Sequence, residues 1–234
     1  MAAMMISAAT LTFSACSSEA EELLLPDVPE QTEQPSANHT YTLSVNASKG
    51  EDGTRALSID GNNIIATWEV DDEVKVYNAS GVELGTITAK NGGANTTLTG
   101  KLNPIPAPND ELTLKYCSPD YNSQKGTLAS ISEKCDYAVA TVTVNAVTEE
   151  DHTISTTSAT FENQQAIVKF TLKKNQSETI NPTSFTVQYG DESIELSKIP
   201  SDTYTTNGNG VLYVAIPGGE SQDVVLKANE GSTV

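Results

Sequence analysis

The chain has 234 residues, with 31 acidic side chains against 13 basic ones, a net charge of −18 and a pI of about 4.3. That excess of negative charge excludes nucleic acid and anionic membrane surfaces as partners held by electrostatics. The length allows one large or two small domains with a real core, and the abundance of Thr, Ser and Asn, without Leu- and Ala-rich helical stretches, suits an exported all-β protein.

Residues 1–15 carry no charge and no proline, only small and apolar residues with Ser and Thr. This has the length of a secretory signal's apolar region and is shorter than the roughly 20 residues a membrane-spanning helix needs. The run closes on Ser14-Ala15-Cys16 and is followed at once by Ser17, Ser18, Glu19, Ala20, Glu21 and Glu22. Small residues before a cysteine at the end of an apolar run resemble the lipobox of bacterial lipoproteins. The resemblance implies cleavage before Cys16, lipidation of that cysteine and a membrane held through the lipid alone. A short N-terminal helix with a buried Cys16 is the alternative. The acidic residues after Cys16 are similar to the signal that sends Bacteroidetes lipoproteins to the outer face of the outer membrane, although a solvated linker has the same composition.

Residues 16–40 then form a tether. Glu19, Glu21, Glu22, Asp27, Glu30 and Glu33 stand there with three prolines and no basic residue. Low hydrophobicity with charge of one sign predicts a disordered, self-repelling segment. Leu23, Leu24 and Leu25 interrupt it, either as one helical turn or as a docking point.

From residue 41 onward the pattern is that of strands. Tyr41, Leu43, Val45 and Ala47 alternate with polar residues, the period-two mark of a half-buried strand. Similar alternation is found at 74–76, 112–116, 142–144, 166–172, 185–189 and 194–196, while 211–216 is a continuous apolar run expected to be covered on both faces. Asp60-Gly61, Ser80-Gly81, Asn91-Gly92-Gly93, Tyr189-Gly190-Asp191, Asn207-Gly208-Asn209-Gly210 and Pro217-Gly218-Gly219 punctuate these runs as turns. No stretch here keeps a 3.6-residue apolar period, so the expected class is all-β, built as sandwiches. The charge cluster Glu149-Glu150-Asp151-His152 marks a boundary, giving an N-terminal domain at 41–148 and a C-terminal domain at 149–234.

Few residues offer chemistry. His39 and His152 fall in a linker and at the boundary, and the motifs of serine hydrolases and zinc proteases are missing, so neither an enzyme nor a cofactor is expected. Glu69, Asp71, Asp72 and Glu73 are a solvated turn more readily than a Ca²⁺ site or a hydrolytic carboxylate pair, and no metal is expected. Trp68 follows Ile64-Ile65 and precedes that turn, which favours core packing over a sugar-stacking platform; Tyr116, Tyr121 and Tyr137 stay open as platforms. Cys117 and Cys135 lie at the end of one predicted strand and the start of another. They are a candidate disulfide, worth roughly 3 kcal/mol by chain entropy, or else two small core thiols.

Larger motifs follow one another in a telling order. Thr54-Arg55-Ala56 precedes Trp68, Asp72, Val74, Val76 and Tyr77; Asp136-Tyr137-Ala138-Val139-Ala140 comes later, then Phe161, Ala166, Val168, Phe170 and Leu172, and finally Val211, Tyr213, Ala215 and Pro217. This succession resembles the fimbrillin-like proteins of Bacteroidales. The resemblance implies two tandem transthyretin-like Greek-key β-sandwiches. It also implies assembly by donor-strand exchange, in which a protease cuts after an arginine, the first strand leaves, and a strand of another subunit fills the groove. Carried onto this chain, Tyr41, Leu43, Val45 and Ala47 form the inward face of the removable strand, 49–53 is a loop, and Arg55, the one arginine, is the candidate cleavage site. A salt-bridged or exposed Arg55 in a non-polymerising relative is the alternative. The function implied is a structural or adhesive part of cell-surface fimbriae, anchored by lipid in the outer membrane. Its partners are other fimbrial subunits or copies of itself, with host or microbial surface ligands for an adhesin. A surface glycan-binding lipoprotein of a polysaccharide-utilisation system is the second reading. Fimbrillin-like proteins continue past the equivalent of residues 224–226 through a hairpin to a last strand, so the second domain is expected to be truncated or to lack terminal strands.

Overall fold

The computed structural model describes residues 40–49, 57–60, 63–218 and 223–229. Tyr41, Leu43, Val45 and Ala47 point inward from β1 (Tyr41–Lys49) and are buried, while Thr42, Ser44 and Asn46 between them are exposed, as period-two geometry requires. The short hairpin β2 (Ser58–Asp60) and β3 (Asn63–Ile65) follows, then β4 (Glu73–Asn78) and β5 (Glu83–Ala89). Asn78 makes the β4–β5 turn: its Oδ1 accepts from the amides of Ser80 and Val82, and Gly81 supplies the left-handed conformation at φ 77°. The sheet continues with β6 (Asn95–Leu102), β7 (Glu111–Tyr116) and β8 (Ala138–Thr148), then two short strands, β9 (Thr153–Thr156) and β10 (Ala159–Asn163).

These strands form one ladder that closes on itself. Its order runs β1, β6, β5, β4, β7, β8, and from β8 through both β9 and β10 back to β1. Every pairing is antiparallel except the seam, where β1 runs parallel to β9 and β10. Expected here were two separate facing sheets; the ladder is instead barrel-like, because β9 and β10 lie end to end and bridge the gap between β8 and β1. Closure leaves no bare edge between these strands. Inside lie Leu43, Val45, Trp68, Val74, Val76, Ile87, Leu98, Leu112, Leu114, Tyr116, Val142, Val144, Ile154 and Phe161, all at most 2% exposed.

The expected boundary at 148/149 is also displaced. Ile154, Ala159 and Phe161 belong to the first core, so the change of core falls between Asn163 and Gln165. The charge cluster at 149–152 is simply the turn between β8 and β9.

Beyond it, β11 (Gln165–Thr171) pairs with β16 (Val211–Pro217). The two-residue strands β12 (Lys173–Lys174) and β13 (Glu178–Thr179) make a small hairpin. A separate sheet has the order β15 (Glu192–Leu196), β14 (Ser184–Tyr189), β17 (Val224–Asn229). Phe185, Val187, Ile194 and Leu196 from this sheet share a core with Leu212 and Val214 of β16 and with Phe170 of β11. The opposite face of β16 is buried too: Tyr213 and Ala215 pack with Ile131 and Cys135. The continuous apolar run at 211–216 is therefore covered on both faces, as expected.

What covers that second face is the connection between β7 and β8, which holds a helix that period analysis does not anticipate. α1 (Leu128–Lys134) is started by a capping box, with Thr127 Oγ1 accepting from the Ser130 amide and Ser130 Oγ accepting from the Thr127 amide. A second short helix, α2 (Asp202–Asn207), precedes β16. Gln124 acts as a stand-in strand for β16: its Oε1 accepts from Ala215 N (2.8 Å) and its Nε2 donates to Ala215 O (3.0 Å), while Tyr213 N donates to Gly126 O (2.9 Å). All the described residues belong to a single unit, consistent with this tie between the two cores.

Candidate functional site

Both lateral neighbours of β1 hold its backbone. On one side it pairs antiparallel with β6 from Tyr41–Leu102 to Ser48–Asn95; on the other, parallel with β9 near Leu43–Ile154 and with β10 near Ala47–Ala159. Its start is fixed by the Thr42 amide donating to His152 O (2.8 Å) and by a ring contact of Tyr41 with His152 at 5.1 Å.

The alternation along β1 extends one step past its four apolar positions, so Lys49 turns to the same face. Its side chain is 2% exposed. Lys49 Nζ donates to Thr67 O (3.2 Å) and stands 3.9 Å from Asp72 Oδ2, 4.2 Å from the centre of the Trp68 ring and 4.7 Å from that of Tyr116. A carboxylate, a carbonyl and two aromatic faces all present negative charge to one ammonium.

Local chain geometry builds this receptor. Trp68 exchanges two backbone hydrogen bonds with Gly93, N to O at 2.8 Å and O from N at 2.9 Å. That fixes the indole against Tyr116 (5.5 Å, 80°) and Phe161 (5.2 Å, 81°), edge-on to each. The acidic turn after it is pinned to β5 through Asp71 N to Ala89 O (2.9 Å) and Ala89 N to Asp72 O (3.0 Å). Asp72 Oδ2 also accepts from Glu69 N (3.0 Å), which aims the carboxylate inward at 1% exposure, whereas Glu69, Asp71 and Glu73 face solvent.

The acidic cluster therefore divides into one buried carboxylate and three surface ones, and no three His, Cys, Asp or Glu side chains converge as a metal site among the described residues. Tyr116, read from sequence as an open platform, is a core residue at 1% exposure, as is Trp68. Tyr41, Leu43, Val45 and Ala47 take the inward positions expected of them. Cys16 and Arg55 lie outside the described residues, as does His39. The candidate disulfide is corrected: Cys117 and Cys135 are not joined. Cys135 sits at the C-terminal cap of α1, buried against β16, its Sγ donating to Asp120 O (3.4 Å). Burial pushes its thiol up to about 12, with Asp120 and Asp136 adding in the same direction.

Sequence reasoning missed Lys49, Thr67 and the separate role of Asp72. The signal for Lys49 was available: it is the fifth member of the series 41, 43, 45, 47, 49. Among the described residues no helix is long and apolar enough to cross a membrane. No protein-family model, curated protein or solved structure matches the chain.

Proposed function

We propose that this chain is a fimbrillin-like surface lipoprotein, a structural or adhesive component of fimbriae, with β1 as its exchangeable strand. The observation that carries the reading is β1 itself: a strand at the N-terminal end of the core, bonded on both sides, with four buried inward side chains, leading straight into the segment that holds the one arginine. Donor-strand exchange needs such an element. Cleavage after Arg55 would leave β1 held by ladder hydrogen bonds and by burial worth about 1.5–3 kcal/mol for each larger side chain. An incoming strand would restore the same bonds to β6, β9 and β10. Because Cys16 precedes β1 in the chain, the same cut would separate the lipid from the body. The buried Trp68 and Tyr116 offer no stacking platform to a glycan, which leaves the second reading with less support.

Treatment of the full chain with an arginine-specific protease tests this. The expected outcome is a single cut after Arg55 followed by SDS-resistant oligomers. A cut that yields only monomer overturns self-assembly through this groove and leaves an anchor, tip or monomeric adhesin. In cells, Cys16→Ala releases the protein from membranes; retention of that variant overturns the lipid anchor.

A further inference from the structure

We propose that the groove occupied by β1 chooses its strand by a cation at the strand's far end. An occupant needs Lys or Arg at the position of Lys49, eight residues after an aromatic or apolar residue at the position of Tyr41, in addition to apolar side chains at the positions between. This rests on the reading of β1 as exchangeable and adds the chemistry of the partner.

Four apolar pockets discriminate poorly, since many alternating strands fill them and specificity needs a contact that wrong partners fail. The Lys49 end supplies one. Asp72 is held inward by the Glu69 amide and by the backbone ladder to Ala89, neither of which involves β1, so the carboxylate keeps its place when the strand leaves. Thr67 O and the faces of Trp68 and Tyr116 converge on the same point, and Trp68 is held by its backbone pair with Gly93, which does not involve β1. Departure of β1 removes the Lys49 ammonium and leaves a preformed, electron-rich receptor at the end of an apolar groove. A strand bringing a methylene chain there loses the ion pair and the cation–π contacts together, in a site shielded from water. The matching strand therefore runs antiparallel to β6, parallel to β9 and β10, and ends on a basic residue.

Labelled peptides spanning residues 40–49 test this, as written and with Lys49→Arg or Lys49→Met. The full chain is cut at Arg55 in denaturant, where its single arginine makes the site unique, and refolded with excess peptide. The Lys and Arg peptides are expected to displace the N-terminal fragment and to bind at least about tenfold tighter than the Met peptide, about 1.4 kcal/mol. In an Asp72→Asn chain that ratio shrinks toward unity. Equal binding of the Lys and Met peptides overturns the cation requirement while leaving the exchangeable strand standing. Entry of no peptide, with the chain refolding on its own fragment, overturns the exchangeable strand and the proposal with it. Should Asp72→Asn not refold, the ranking of the three peptides on the unsubstituted chain decides alone.

Discussion

Cys135, Tyr121 and Tyr204 hold their protons more tightly than exposed groups do. Burial is the main cause for each, raising the thiol from 9.0 and the phenols from 10.0 to about 12, and the Tyr204 hydroxyl donates to Pro182 O at 2.6 Å. The unfolded chain releases these protons first. Stability is therefore undiminished by them below about pH 9 and falls as pH rises toward 12. Urea midpoints across that window are expected to drop, and a Cys135→Ala, Tyr204→Phe chain drops less. At this scale the sequence was partly legible. Trp68 could be assigned to the core from its apolar approach and acidic exit. Lys49 was ambiguous: it continues the series of β1, but a lysine at the end of an apolar series also reads as the point where burial stops, and only the facing Asp72 and aromatic rings decide between the two.

Strands β1, β4, β7, β8, β11, β14, β15 and β16 were visible as alternation or as a run, whereas β5 and β6 were not. Their concealment has a cause. A Cβ on Gly100 would lie 2.3 Å from Thr86 O, so the two strands meet more closely there than any side chain permits, and the glycine erases the pattern that would betray a strand. Gly100→Ala, which by β propensity alone would help, is expected to destabilise by about 1–3 kcal/mol through this clash, measured by urea unfolding. The helices escaped for a different reason. α1 spans seven residues and α2 six, too few for a repeating apolar face, and their buried residues serve a neighbour rather than a stripe of their own.

Across the molecule, the turn chemistry at 149–152 looked like a domain boundary because charge clusters mark linkers and hairpin turns alike. Which of the two it was depended on where 153–163 found its partners: β8, just across the turn, and β1, distant in sequence. The tie between the two cores was equally hidden, since one glutamine amide imitating a strand has no sequence signature. Gln124→Ala strips Ala215 of a donor and an acceptor in a buried place. We expect a loss of about 1–3 kcal/mol and two separated transitions, one in the fluorescence of Trp68, the only tryptophan, and one in far-UV circular dichroism.

The parallel seam has a further consequence, one of order in time. Ser48 bonds to Ala159, 111 positions later, so β1 cannot complete its pairing until the last strand of its own barrel, β10, has been made. Contacts of such span form late in folding. During that interval β1 has its β6 flank to pair with while its β9 and β10 flank is bare. Under the strand exchange proposed above, that interval is when a strand from a neighbouring molecule competes with β1 most easily.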